Sequence, residues 1–351
     1  MKKNLYKSLI IICLFSLLSY SVISQTKTPR VYIYGETHCN KIIMDAELIA
    51  WQNFYNNHGM RHLFIEYDYS TGQLLNEWMK DDDDSLLMQI YENWKGSIAY
   101  NQDNLDFFKN IKHTCPETIF HGTDVGPRPG TTDSLLLQQL EEKGLTDSME
   151  YKLVLENIEQ AKHYKKYHDD SIRENYLAGN FIRDFDSLPE NEIIMGIYGS
   201  AHTVYLVDST GKVPSMIAQI RNNYNDINIE DYDISNFSLY TNIMPPLGTE
   251  YFIIKGKTYK ATYFGEKKIS GWEGYKSWKF WRIENPDETL KKLKHKKNYN
   301  YYSNYPTIVN QGDIFRIELT KSDDSKQIEY YRADGKVYDG KPSTNLILNE
   351  K

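Results

Sequence analysis

The chain has 351 residues, of which 40% are hydrophobic and 25% charged, with 20 Gly, 11 Pro and 3 Cys. Those values exclude wholesale disorder, a collagen-like repeat and a disulfide-built scaffold, and the length allows one large domain or a main domain with an appendage. The formal net charge of −7 argues against nucleic acid as a partner and against broad adhesion to anionic membranes.

Lys2, Lys3 and Lys7 precede an apolar run from Leu9 to Leu18 that only Cys13 and Ser16 interrupt, and Val22-Ile23-Ser24 sets small or branched residues before Gln25. This pattern predicts a secretory signal peptide over residues 1–24. The run is short for a membrane span. Cys13 lies inside it with no small-residue lipobox, so no lipid anchor is expected. With no second apolar run of spanning length, the expected product is an exported protein, periplasmic or secreted, without an integral membrane segment in the mature chain. Loss of three Lys and no acid takes the net charge from −7 to about −10. Cys39 and Cys115 then remain, so at most one disulfide is available.

Four short apolar runs read as buried strands: Val31 to Tyr34, His62 to Ile65, Thr118 to Phe120 and Ile193 to Tyr198. Helical spacing fills the gaps. Lys41 to Asn57 carries Ile42, Ile43, Ala46, Ile49, Ala50 and Phe54, and His58-Gly59 follows as a stop. Asn104 to His113 repeats the pattern, and Ser134 to Lys166 and Ser171 to Phe185 read as longer helices. The run Asp81 to Asp84 suits a solvated loop or helix start. Strands alternating with helices predict an α/β fold with a mostly parallel central sheet flanked by helices. After about Ser235 the texture changes to strands at Tyr251–Ile254, Thr258–Tyr263, Trp278–Ile283, Ile314–Leu319 and Ile328–Tyr331. Lys255-Gly256, Ser322-Asp323 and Asp334-Gly335 are the turns expected between them. The organisation is therefore a leader (1–24), an α/β domain (25–234) and a β-rich C-terminal region (235–351).

Chemistry concentrates where the first four strands end. The first runs into Gly35-Glu36-Thr37-His38, the second into Glu66-Tyr67-Asp68, the third into His121-Gly122-Thr123-Asp124, and the fourth into Gly199-Ser200-Ala201-His202. Ligands of parallel α/β sheets bind outside the carboxyl ends of the strands. Glu36, His38, Glu66, Asp124 and His202 are thus expected around one mouth. A carboxylate at Asp124 is equally suited to cap a turn.

These pieces, in this order, resemble the superfamily that joins erythromycin-esterase-like proteins, the TraB/TIKI group and a haem-binding lipoprotein (ChaN-like) group. The resemblance runs from about Val31 to Tyr224. It rests on the four strand-end motifs, on Tyr100-Asn101 before the helix from Asn104, and on Arg173-Glu174-x-x-Leu177-Ala178-x-Asn180. Glu36 and His38 are separated by one residue where esterase-like members have two, a shorter form like that of the TIKI and haem-binding branches. Gly199 stands where the first of two esterase-like His would fall.

Hydrolysis at neutral pH needs a group that takes a proton from water, and His is the natural one. His38, oriented by Glu36 or Glu66, is the candidate base. His202 is a second proton carrier or electrophile, and Arg173 is a holder for an anionic group or an oxyanion, or else the partner of Glu174 or Asp170 on a helix surface. Glu36, His38, Glu66 and His202 form the expected catalytic set, with Arg173 and Asp124 on the substrate. Cys39 reads as a small packed thiol, not a nucleophile. The leading expectation is an enzyme that cleaves an ester or related acyl bond of a small molecule and requires no cofactor. The resemblance implies two alternatives: a metal-dependent hydrolase using Glu36, His38, Glu66 and His202 as ligands, and a non-catalytic haem or iron binder.

Overall fold

The computed structural model describes residues 30–125, 132–203, 213–225, 227–239, 243–268, 274–296, 300–302, 305–338 and 341–350. The leader read at residues 1–24 lies outside them. In chain order the first part runs β1 (Val31–Glu36), α1 (Lys41–His58), β2 (His62–Asp68), α2 (Tyr69–Trp78), α3 (Ser85–Asn93), α4 (Gln102–Thr114) and β3 (Ile119–Asp124). It continues through α5 (Thr132–Glu142), α6 (Met149–Tyr167), α7 (Asp170–Asp186), β4 (Ile194–Gly199), α8 (Ser200–Thr203), α9 (Met216–Asn223) and β5 (Ile229–Asp233).

The five strands form one parallel sheet in the order β3-β2-β4-β1-β5. Successive side chains of a strand point to opposite faces. Tyr32 and Tyr34 of β1 accordingly join the core built by α1 to α6, while Val31 and Ile33 join the core under α7 and α9. Both faces are covered, which is why the strands read as continuous apolar runs. The sheet places the ends of β3, β2, β4 and β1 in a row, so the strand-end residues named above meet at one edge.

Helix boundaries follow local chemistry. Asn40 caps α1 by accepting the Ile42 N–H at 3.1 Å, and Gly59 ends it in the left-handed region. The single helix expected over 134–166 is two. Gly144, at φ +70°, stops α5, and Ser148 starts α6 by accepting the Tyr151 N–H. The fifth strand, β5, was not evident as an apolar run: its sequence Ile229-Glu-Asp-Tyr-Asp233 is mostly polar because β5 is the sheet edge.

The second part is an antiparallel sheet of β6 (Thr249–Ile254), β7 (Lys257–Lys268), β8 (Tyr275–Ile283), β9 (Asn300–Tyr302), β10 (Ile314–Lys321), β11 (Lys326–Tyr338) and β12 (Lys341–Glu350), with the short α10 (Glu288–Lys291) after β8. Its strand order is β6-β7-β8-β10-β11-β12-β9. Lys255 and Gly256, both at positive φ, close the tight hairpin expected there. Asp334-Gly335 does not separate strands; it is a bulge inside β11, where pairing with β12 jumps between Ala333 and Val337. The second sheet meets the first at the β5 edge: the Thr249 hydroxyl of β6 donates to the buried Glu230 of β5, and Lys260 of β7 pairs with the same carboxylate at 3.0 Å. Among the described residues no helix is long and apolar enough to cross a membrane.

Candidate active site

A cavity of about 330 Å³ opens at the carboxyl edge of the parallel sheet. One side is polar, with Glu36, His38, Glu47, Glu66, Asp68, Asp124 and Arg173; the other is apolar, with Trp94, Ile98, Phe107 and Phe108 prominent. Among the described residues the second sheet contributes nothing to this lining.

Glu66 is the hub. It leaves β2 facing the end of β4, so its Oε2 accepts the Gly199 N–H at 2.5 Å. Its Oε1 takes an N–H of Arg173 Nη2 at 2.6 Å, lies 3.2 Å from His202 Nε2, and lies 3.6 Å from His38 Nε2. Burial opposes the charge on Glu66. The hydrogen bond from His202, the nearby ring of His38, and the positive charges of His202 and Arg173 outweigh it and hold this carboxyl well below the usual range.

Arg173 comes from the first turn of α7, which points at the end of β3. Its Nε and Nη2 bind both oxygens of Asp124 at 3.0 and 2.7 Å, a bidentate pair. Asp124 is buried, and its Oδ1 also accepts the Val125 N–H at 2.7 Å. Arg173 therefore pairs with Asp124 and Glu66, not with Glu174 or Asp170 on a helix surface. Both residues read as substrate-binding are engaged with each other.

His202 is not in a loop. It sits in the one-turn helix α8, 8% exposed, behind Glu66 and outside the cavity lining. Its Nδ1 binds Glu174, whose second oxygen accepts the Met216 N–H of α9 at 2.5 Å. Burial lowers its basicity, but the bonds to Glu174 and Glu66 prevail and push it up to about 9. The ring is thus an imidazolium at neutral pH and its Nε2–H donates to Glu66. The 3.2 Å approach of Arg173 Nη1 to that nitrogen is then a contact between two cations that share one carboxylate, not a hydrogen bond.

His38 differs from every other charged group here. It follows β1 in a turn made possible by Cys39 at φ +57°. The ring lines the cavity; Nδ1 is fixed by Glu36 at 2.7 Å, while Nε2 lies 3.6 Å from Glu66 Oε1, beyond hydrogen-bond distance. The hydrogen bond to Glu36, then the nearby carboxylate of Glu66, pushes the imidazole up to about 10. At 39% side-chain exposure, water screens part of that pairing. Cys39 beside it is free, with burial pushing its thiol up to about 11, so it is a poor thiolate; Cys115 is also free.

Two acids of the network lie outside the catalytic and substrate-binding sets expected from sequence, although Glu174 is part of the motif that begins at Arg173. Glu47 of α1 is 1% exposed, and burial together with Glu36 raises its carboxyl well above the ordinary range. The signal was its place on the buried stripe of α1, between Ile43, Met44, Ala50 and Trp51. Glu174, the orienting partner of His202, lies one turn before the buried Leu177 and Ala178.

The donor set does not suit a resident metal. Among the described residues no three His, Cys, Asp or Glu side chains are arranged to hold one, and the guanidinium of Arg173 lies between Glu66 and Asp124, where a cation would have to sit.

No protein-family model matches the sequence, and no curated protein matches it. Solved structures with a similar fold include a protein from Bacillus cereus (11% identity, 61% of this chain and 67% of that one, TM-score 0.44) and a succinoglycan biosynthesis protein (12%, 59% and 65%, TM-score 0.44). A third is a mutant of the erythromycin esterase EreC in its open conformation (12%, 67% and 76%, TM-score 0.41). The functional reading rests on the geometry of the site itself.

Proposed function

We propose that this protein hydrolyses an ester or related acyl bond of a small molecule, with His38 as the base that takes a proton from water. The observation that carries the reading is the asymmetry of His38, whose ring lines the cavity: Nδ1 is held by Glu36 at 2.7 Å, while Nε2 has no hydrogen-bond partner, its nearest acid being Glu66 at 3.6 Å. A water on Nε2 attacks the acyl carbon as its proton moves to the ring. Glu36 and Glu66 favour the imidazolium that forms, and the same proton then passes to the departing alkoxide as the acyl–oxygen bond breaks. The products are an acid and an alcohol, and no metal is required. Arg173, Asp124, His202 and Glu174 act as positioning residues: they fix Glu66, and Glu66 borders the ring. Because the ring is protonated at neutral pH, only its neutral fraction serves as base, and turnover rises with pH. Export, read from the leader, belongs to the same proposal.

The test is a panel of uncharged small esters with the purified protein and with His38→Ala. A fall of about 10²–10⁴ in kcat/KM without loss of fold is expected. Equal turnover by the variant overturns the assignment.

A further inference from the structure

The charge and shape of the cavity specify more than a reaction type. Of the lining side chains, Glu36, Glu66, Asp68 and Asp124 are carboxylates, while among the described residues only Arg173 and His38 bring positive charge, four against two. Asp68, pushed up to about 6 by burial and by Asp133, is still mostly ionised at pH 7. Glu47, whose carboxyl is raised by burial and by Glu36, brings no positive charge to relieve this excess. Each cation already faces two carboxylates. Arg173 gives Nε and Nη2 to Asp124 and Glu66 at 2.6–3.0 Å. His38 is bracketed by Glu36 and Glu66. An anionic ligand would lose its water, meet an excess of negative charge, and find no unengaged counterion among the described residues.

The opposite wall is apolar. Trp94 packs against Phe108 with ring centroids 5.7 Å apart and against Tyr67 at 5.0 Å, with Phe107, Ile65 and Ile197 alongside. Ile98, 66% exposed, stands at the rim. A volume of about 330 Å³ is at the lower end of the range for small-molecule sites, enough for a single ring or a short chain.

We infer that the ligand of this cavity is a small uncharged acyl compound, one ring or a short chain in size, whose apolar part lies on the Trp94–Phe107–Phe108 wall with its carbonyl toward His38, and that anionic analogues are rejected. For the reaction this rests on the hydrolase reading; for binding it does not, so binding is measured without turnover. Phenylacetamide and phenylacetate have nearly the same shape and differ in charge. Titrated into the full-length protein at pH 7 and low salt, with His38 and Trp94 ring signals followed by NMR, phenylacetamide should shift both rings. Phenylacetate should bind at least tenfold more weakly. Ile98→Lys, at an exposed rim position that the fold does not depend on, supplies the missing counterion and should narrow that gap at least threefold with an unchanged melt. Phenylacetate binding as tightly as the amide, an amide that leaves the two rings unshifted, or an unchanged gap in Ile98→Lys each overturns the inference. Amide binding with no ester turned over leaves this inference standing and removes the hydrolase reading. Equal turnover of a neutral ester and its matched carboxylate-bearing ester does the reverse.

Discussion

Replacing Gly199 by Ala is the sharpest perturbation of this site. Gly199 ends β4 without a positive φ, so its backbone accepts Ala, and its N–H can keep the bond to Glu66. The added methyl, however, falls 2.8 Å from His38 Nε2, 3.1 Å from Cε1 and 3.3 Å from Glu66 Oε2. Carbon contacts settle at about 3.5–4.0 Å, so the ring must retreat by roughly 1 Å. His38 is the movable partner because it is partly exposed. Its retreat lengthens or breaks the 2.7 Å bond to Glu36. A hydrogen bond to a charged group is worth about 1.5–3 kcal/mol, and screening at this exposure brings the cost to about 1 kcal/mol. That is a fall of about 2–4 °C in melting temperature for a domain of this size. Turnover should suffer far more, because the methyl occupies the space where water would meet Nε2; a loss of about 10²–10⁴ in kcat/KM is expected. Calorimetry and ester hydrolysis on the same preparations measure both. Gly199→Ala with wild-type turnover would show that Nε2 is not where water is engaged, and the base assignment would fall with it.

Gly122→Ala is the structural counterpart: its methyl would lie 2.1 Å from the Asp68 carbonyl oxygen, a backbone atom that cannot swing away, so the variant should be recovered poorly or melt many degrees lower. Stability and activity should show opposite pH dependences. His38 and His202 are raised to about 10 and about 9 from 6.5, so their stabilisation is complete below the unfolded value of 6.5 and is lost as pH rises through 9 to 10. Urea midpoints should fall over that window while kcat/KM rises with the neutral fraction of His38; turnover that declines from pH 7 to 9 contradicts the base role. His202→Ala should cost about 3–5 kcal/mol in chemical denaturation, because it strips a buried partner from Glu174 and Glu66, against about 1 kcal/mol for the partly exposed His38→Ala. Equal costs would contradict the burial argument. Glu47→Gln exchanges one neutral group for another and should leave the NMR titration of His38 in place, whereas a downward move of about a unit or more would mean that Glu47 carries charge.

What the sequence made legible depended on period. In strands buried on both faces the apolar run is unbroken, so its polar terminus stands out, and Glu36, Glu66, Asp124 and Gly199 could be placed at strand ends. Parallel order turns those ends into neighbours, and the convergence of Glu36, His38 and Glu66 follows. Helical acids gave no such break. Glu47 and Glu174 are charged letters among other charged letters, and only the packing of α1 and α7 on the sheet buries one face of each. Arg173 illustrates the same limit: its neighbours in sequence, Asp170 and Glu174, suggested a surface ion pair, but the position of α7 over β2 and β3 hands it to Glu66 and Asp124. His202 looked like the equal of His38 because both follow a strand by a few residues. The one-turn helix α8 rotates it behind Glu66, a displacement that no spacing rule encodes.

The outcome separates two kinds of charged group. Glu66 has both oxygens committed, to Gly199 on one side and to Arg173 and His202 on the other; Asp124 is held by Arg173 and by the Val125 N–H; Glu174 is held by His202 and Met216. Groups bound in this way cannot exchange a proton with a ligand without dismantling a buried network, which costs several kcal/mol. Their effect is to fix a field and a position. His38 Nε2 is the exception: it borders Glu66 at 3.6 Å, too far for a hydrogen bond, and its ring lines the cavity. A proton can leave or join this atom while every other contact in the network persists. That is the physical reason to assign the working proton to His38 rather than to the more deeply buried His202.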